Sequence, residues 1–297
     1  MLSLMIELTN RCTLRCPTCF SHQDDRAKAD MSFQEFKNII DDNHSLIESL
    51  SLYNYGEPLL NENMPEMIAY AKKKDIRFIK VSTNGMHLTA TKSKDIINSG
   101  LDYLSISLDG ATKETYEIFR IGGQFKLVVS NIRNLVKIRN ALRRPLTIEI
   151  QFIIMRHNEH EVAAIEELAR YLQVDRLRLK TVLIKKDKWK ELLPLDAKYS
   201  RYSQDMSSTQ CLKPLKELVI NCDGTIIPCC YIVQKDIDRF NMGNIFDQPL
   251  KDILASEKYR SFIKKCTKQK IDLESCKDCN EGNHSLDYKI IELAHEQ

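Results

Sequence analysis

No run of apolar residues in this 297-residue sequence approaches the ~20 needed to cross a bilayer, so no helical membrane span is expected. The start, Met1-Leu2-Ser3-Leu4-Met5, lacks both the basic region and the cleavage signal of a secretory peptide, and it reads directly as a first strand. A cytoplasmic location is the expectation. Charge of one sign is lacking too: 44 basic against 41 acidic side chains leave a net +3. A nucleic-acid footprint takes a basic stripe or a far larger excess, so Lys72-Lys73-Lys74 and Lys185-Lys186 read as solvated faces. There is no low-complexity segment. The most informative gap is in cysteine: ten are present, yet none lies between Cys19 and Cys211. In a reducing compartment cysteines point to metal or redox chemistry and not to disulfides. Three stand before residue 20 and seven after residue 210, which predicts two metal-bearing ends joined by a cysteine-free scaffold.

With 43% hydrophobic and 29% charged residues the chain can build a substantial core, and its length suits one large or two modest domains. Ser32-Phe33-Gln34-Glu35 is a capping box that opens a helix through Phe36, Ile39, Ile40 and Leu46. Strands are expected at 4–8, 50–53, 78–82, 103–108, 147–155 and 176–183. Helices are expected at 64–74, 91–99, 113–120, 125–142 and 159–172. Gly100 stops the second of these in the position a left-handed cap prefers. This alternation predicts an α/β fold with a parallel sheet. Strands that end in polar or glycine-rich turns resemble barrel strands feeding a site at their C-terminal ends. Periodicity leaves a doubly wound open sheet as the alternative.

Cys12-Thr13-Leu14-Arg15-Cys16-Pro17-Thr18-Cys19 directly follows the first expected strand. Three thiolates brought to one point bind three irons of a cubane. Clusters normally take four cysteines, so something other than cysteine must bind the last iron. A zinc knuckle completed by His22 is the competing metal reading. The spacing and flanking residues resemble the radical S-adenosylmethionine (SAM) superfamily, in which the amino and carboxylate groups of SAM fill that place. The resemblance implies a partial, six-stranded (β/α)6 TIM-like barrel over residues 1–190, and a [4Fe–4S] cluster on Cys12, Cys16 and Cys19. It also implies SAM as cofactor and a flavodoxin or ferredoxin as electron donor.

Tyr55-Gly56-Glu57-Pro58 resembles the family's Gly-Gly-Glu turn, whose backbone holds the methionyl amine of SAM, with Tyr55 in place of the first glycine. Ser107-Leu108-Asp109-Gly110 resembles the fourth-strand motif, which implies a contact of Ser107 with SAM's carboxylate or ribose. Thr83-Asn84-Gly85 resembles the third-strand turn beneath it. Gln151 and Asn158 take the positions of ribose or adenine contacts, and Arg120 that of a cation neutralising the SAM carboxylate. Thr18 stands where many members carry an aromatic residue near adenine, with Phe20 as the substitute.

After about residue 190 the alternation stops. Asp223-Gly224, flanked by β-branched runs, signals a hairpin that would bring Cys211 and Cys229 together. A helix is expected at 250–265, and Cys276-Lys277-Asp278-Cys279 supplies a CxxC. Four such thiolates suit a cubane or zinc equally. They resemble the shorter form of the SPASM/Twitch extension. That implies a small α+β domain over 191–297 with one auxiliary [4Fe–4S] cluster on Cys211, Cys229, Cys276 and Cys279. Cys230, adjacent to Cys229, is the alternative ligand; neighbours on a strand face opposite sides, so only one of the two should serve. Cys222, Cys230 and Cys266 remain over, as small buried residues or, for one of them, as a hydrogen-atom donor.

The cysteine spacing is most similar to that of Twitch-bearing aminocyclitol dehydrogenases. This implies an oxidoreductase whose 5′-deoxyadenosyl radical takes hydrogen from a sugar- or cyclitol-like small molecule, with the auxiliary cluster accepting the electron. Oxidation also needs a base, for which Arg178 and Lys180 on the sixth expected strand are the candidates. Epimerisation with a cysteine donor stays open. So does peptide maturation, which the start of the first strand within a few residues of Met1 disfavours. A zinc-binding structural protein is the non-enzymatic alternative.

Overall fold

The computed structural model describes residues 2–22, 25–184, 188–202, 210–232, 237–269, 276, 279 and 287–293. In chain order the elements are β1 (Leu2–Ile6), α1 (Phe33–Asn43), β2 (Ile47–Ser51), α2 (Met64–Lys73), β3 (Phe78–Thr83), α3 (Ala90–Asn98), β4 (Tyr103–Ser107), α4 (Lys113–Phe119), α5 (Phe125–Leu142), β5 (Thr147–Ile154), α6 (Val162–Tyr171) and β6 (Arg176–Thr181). There follow α7 (Lys213–Lys216), β7 (Glu217–Ile220), β8 (Thr225–Ile227), α8 (Ile237–Phe240), β9 (Gly243–Asn244), α9 (Leu250–Ala255), α10 (Glu257–Gln269) and β10 (Asp287–Glu292). No described helix is long and apolar enough to cross a membrane. The chain forms two compact units, each built from separated segments. Met1–Cys12, Phe20–Ile79 and Met206–Ser285 make the first; Thr13–Cys19, Lys80–Asp205 and Leu286–Gln297 make the second.

In the first unit β1 has parallel β2 on one side and parallel β7 on the other, and β7 continues through antiparallel β8 and β9. Leu4 and Ile6 of β1 are fully buried, as are Phe36 and Ile40 of α1. The capping box forms as expected: the Glu35 N–H donates to Ser32 Oγ (3.2 Å), and the Ser32 N–H to Glu35 Oε2 (2.7 Å). The helix ends at Asn43, whose Nδ2 donates to the Ile39 carbonyl (2.9 Å), and a short 3-10 turn at His44–Leu46 leads straight into β2. That early exit starts the strand at Ile47, ahead of the expected 50–53. The helix expected over 250–265 is broken in two. Ser256 is extended (φ −62°, ψ 149°) and its Oγ accepts the Tyr259 N–H (3.2 Å), so it caps α10 and separates it from α9. The β7–β8 hairpin turns at Gly224, with φ +80°.

In the second unit β3, β4, β5 and β6 pair in parallel, and β10 adds antiparallel to β6. β10 was not expected from the sequence. One face of the parallel strands is apolar: Ile148, Ile150, Phe152 and Ile154 of β5 are fully buried. The other face is polar, and register aligns its side chains in rows. Ser105 lies beside Glu149 and Glu149 beside Arg176; Ser107 lies beside Gln151 and Gln151 beside Arg178.

Candidate functional site

In the first unit the chain leading from β1 to Cys12 runs over Gly56. A Cβ there would lie 1.9 Å from the Thr9 carbonyl oxygen and 3.0 Å from that of Arg11. The Glu57 N–H donates to the Arg11 carbonyl (2.7 Å). The glycine of Tyr55-Gly56-Glu57-Pro58 is thus demanded by the close approach of two backbone segments. Glu57 itself is buried, and its Oε1 accepts the Leu59 N–H (3.1 Å), capping the 3-10 turn Pro58–Leu60. Tyr55 sets its ring edge-on to Phe20 (centroids 5.8 Å) and donates its hydroxyl to the Ile232 carbonyl.

Glu7, fully buried just past β1, ties this region together. Its carboxylate accepts from Arg26 Nη2 (2.9 Å), the Cys222 N–H (3.2 Å) and the Tyr55 N–H (3.3 Å). Burial pushes the Glu7 carboxyl up, against the lowering influence of Arg26. The Cys222 thiol, hydrogen-bonded to Glu7, is likewise pushed up by burial and by that carboxylate. No motif pointed to Glu7 or Arg26, which are separated in sequence from both partners.

In the second unit Arg15 donates its N–H to the Ile121 carbonyl (2.8 Å), and Cys19 donates its N–H to the Cys16 carbonyl (3.0 Å). The side chain of His22 lies outside the described residues. Arg120, at the end of α4, pairs with fully buried Asp109 and brings Nη1 to 3.7 Å from Cys16 Sγ. Burial works against its charge, but Asp109 and Cys16 more than offset this and raise the guanidinium above its ordinary value. Asn158 is fully buried. Its amide donates to the Asp109 and Ile153 carbonyls (3.0 Å each) and its oxygen accepts the Met155 N–H (2.7 Å). Both amide hydrogens of Asn158 are thus committed within the protein. Asn84 accepts the Met86 N–H (2.9 Å) in its own turn. Ser107, the last residue of β4, lies beside Gln151 in the middle of β5.

Arg178 donates Nε to fully buried Glu149 (2.7 Å), which also accepts from the hydroxyls of Tyr103 and Ser105. Burial and then Glu149 push the Tyr103 hydroxyl up to about 12. An arginine holds its proton and cannot act as a base, so Arg178 serves here as the counter-ion of Glu149. Lys180 follows on the same face of β6, beside Ile153.

In the first unit one pocket is lined by Cys211, Cys229, Cys266, Cys276 and Cys279, together with Lys213. Cys230 is not part of that lining; its thiol is hydrogen-bonded to that of Cys229. The Cys211 N–H donates to the Cys266 carbonyl (2.8 Å), and the Cys279 N–H to that of Cys276 (3.1 Å). Lys277 and Asp278 lie outside the described residues. None of the ten cysteines is in a disulfide. Among the described residues no three Cys, His, Asp or Glu side chains are gathered to hold a single metal ion. The fit to a cluster therefore rests on the donors: five cysteines line one pocket, one more than the four a cubane takes.

Residues 6–169 match the radical SAM superfamily, and residues 211–280 match SPASM, an iron–sulfur cluster-binding domain. The chain is 27% identical over 323 aligned residues to the tungsten-containing aldehyde ferredoxin oxidoreductase cofactor-modifying protein of Pyrococcus furiosus, covering 93% of this chain and 86% of that one. It is 26% identical over 182 residues to the PqqA peptide cyclase of Granulibacter bethesdensis, covering 61% and 47%. It spans less than two thirds of the length of several curated relatives it matches. The crystal structure of BtrN in complex with AdoMet and 2-DOIA is similar with a TM-score of 0.60 at 17% identity, covering 98% of this chain and 99% of that one. That likeness shows the α/β fold class, a partial (β/α)6 barrel with a C-terminal extension, and the SPASM match makes that extension an iron–sulfur one. This chain's cofactors follow from the two family matches: SAM, a SAM-binding [4Fe–4S] cluster and an auxiliary [4Fe–4S] cluster. Because the superfamily match extends over more than half of its length, the chain belongs to the radical SAM superfamily and is an enzyme of that class with a SPASM domain.

Proposed function

We propose that this is a cytoplasmic dehydrogenase of a hydroxyl-bearing small molecule of sugar or cyclitol type. In this reading residues 1–190 form the catalytic barrel and residues 191–297 the auxiliary domain. Cys12, Cys16 and Cys19 hold the SAM-binding cluster, and Cys211, Cys229, Cys276 and Cys279 hold the auxiliary one. When bound, SAM and its cluster supply removal of a hydrogen atom from an unactivated carbon, with flavodoxin or ferredoxin as the electron source. The observation that carries the reading is the pocket lined by all four proposed auxiliary ligands. A fully protein-ligated cluster leaves no iron for substrate, so electron acceptance is its natural role.

The three remaining thiols favour dehydrogenation over epimerisation. Hydrogen return from a thiol needs its S–H aimed at the substrate carbon. Cys222 is bonded to Glu7, Cys230 to Cys229, and Cys266 lies in the cysteine-lined pocket. Gly56 and Glu57 fasten the approach to Cys12, and Tyr55 stands beside them in the turn proposed to hold the methionyl amine of SAM. Ser107 and Gln151, with Asn84 in the neighbouring turn, are the proposed SAM contacts, while Asn158 and Arg120 act through Asp109. With Arg178 taken up by Glu149, Lys180 is the proposed base. Peptide modification is the second reading, favoured by the likeness to PqqA peptide cyclase over 61% of this chain.

The test is iron, sulfide and zinc content of anaerobically purified protein beside a Cys12/Cys16/Cys19→Ala variant. About eight irons falling to about four supports two cysteine-held cubanes. Zinc with negligible iron overturns the reading. SAM cleavage with sugars, cyclitols and peptides then separates the two substrate classes.

A further inference from the structure

Arg120 is held more firmly than a SAM-carboxylate partner needs. Its Nε donates to Asp109 Oδ2 at 2.5 Å, and Nη2 meets the same oxygen. Asp109 is 0% exposed; its Oδ1 accepts the Ile153 N–H (2.7 Å) and its carbonyl accepts Asn158 Nδ2 (3.0 Å). The guanidinium is thus anchored through Asp109 to the end of β5. Its remaining arm, Nη1, points at Cys16 Sγ, 3.7 Å away, and Cys16 is only 5% exposed. Charge-assisted bonds are the strong ones, and strongest where water is excluded.

We propose that Arg120 is a positioning residue for Cys16, donating an N–H···S bond that raises the reduction potential of the SAM-binding cluster. The inference rests on the reading of Cys12, Cys16 and Cys19 as its ligands. Hydrogen bonds to ligating sulfurs, and net charge nearby, are among the levers that set a cluster's potential. A donor that draws electron density from the sulfur favours the reduced, more negative state. Arginine keeps its proton throughout the working range, so the bond does not come and go with pH. This is a different task from neutralising the SAM carboxylate, and it operates before SAM arrives.

The experiment uses the full chain, reconstituted anaerobically and kept free of SAM, in a redox titration followed by electron paramagnetic resonance. The Cys12/Cys16/Cys19→Ala variant identifies which signal belongs to the N-terminal cluster. Arg120→Gln is expected to keep wild-type iron while the midpoint of that signal moves to more negative potential. The expected size is about a tenfold lower ratio of reduced to oxidised cluster at fixed potential, or about 59 mV for one electron. The auxiliary signal stays where it was. Arg120→Lys, which keeps the charge without the planar fork, shifts less and in the same direction. Normal iron with an unmoved midpoint overturns the proposal, and so does an equal shift of both signals. Should Arg120→Gln lose its N-terminal iron, Arg120→Lys decides: a negative shift supports the bond and an unmoved midpoint overturns it. Full iron in the triple cysteine variant would instead overturn the ligand reading on which the proposal rests.

Discussion

Replacing Gly56 by alanine should unseat the segment that leads into the N-terminal cysteines. Gly56 is not among the glycines with positive φ, so alanine is conformationally acceptable there and the effect is steric. The new Cβ would sit 1.9 Å from the Thr9 carbonyl oxygen, against an ordinary contact of at least 3.4 Å, a deficit of 1.5 Å (3.4 − 1.9). Both obstructing groups are backbone, so no side chain can swing away. Overpacking of this kind costs about 1–3 kcal/mol. Parting the segments also strains the 2.7 Å bond from Glu57 N–H to the Arg11 carbonyl, worth about 1 kcal/mol. Against this, alanine loses less backbone entropy on folding, a gain of about 0.4–1 kcal/mol. The net loss is about 1–4 kcal/mol. At roughly 2–4 °C per kcal/mol for a chain of 150–250 residues, the Tm of the cluster-free protein falls by several degrees, measured by circular dichroism. On reconstitution the variant should lack the iron of the N-terminal cluster and keep the auxiliary iron. An unchanged Tm with full iron uptake would refute the argument that this glycine fastens the approach to Cys12.

Glu149→Ala leaves Arg178 without its counter-ion inside the second unit; breaking a buried pair costs about 3–5 kcal/mol, read as a lowered urea midpoint, with a smaller loss for Glu149→Gln. Stability should decline at high pH. Tyr103 and Tyr53 are each pushed up to about 12, Tyr103 by burial and then Glu149, Tyr53 by burial and then Glu217. The neutral ring is the form the fold favours, so this contribution is full below the ordinary value of about 10 and is lost as pH rises through about 12. Urea midpoints between pH 9 and pH 12 check it, and Tyr103→Phe should flatten part of the slope. Cys229→Ser should remove the auxiliary iron while Cys230→Ser leaves it, because Cys229 lines the cysteine pocket and Cys230 does not; equal loss from both would show that either can ligate.

The order of strands and helices was legible in the sequence because each element carries its own signal: a capping box at Ser32, strand alternation in β5, a turn at Asp223-Gly224. Where boundaries moved, a local side chain moved them. Asn43 bonds back to the Ile39 carbonyl at the end of α1, and Ser256 caps a helix inside what periodicity reads as one. β10 was missed because its partner is remote: five of its six residues pair with β6, more than a hundred positions earlier.

The same distinction divides the candidate site. Cysteines announce themselves by type and spacing, and Cys211, Cys229, Cys276 and Cys279, read from the sequence as candidate ligands, line one pocket together with Cys266. What spacing could not show is what the neighbouring charges do. Arg178 reads as a base on a strand until Glu149, from another strand, is found beneath it. Arg120 reads as a cation for the SAM carboxylate until Asp109 and Cys16 are found on either side. Cys222 reads as a spare thiol until Glu7, 215 residues away, accepts from its backbone. Each reassignment depends on a buried carboxylate: Glu149 and Glu7 lie in no motif, and the motif that contains Asp109 gives it no partner, because a buried Asp or Glu is recognised by its partners and not by its sequence neighbours. The general consequence is physical. Donor atoms of a metal site can be read from a chain, whereas the hydrogen bonds and charges that tune that site arise from tertiary contacts and must be read from the fold.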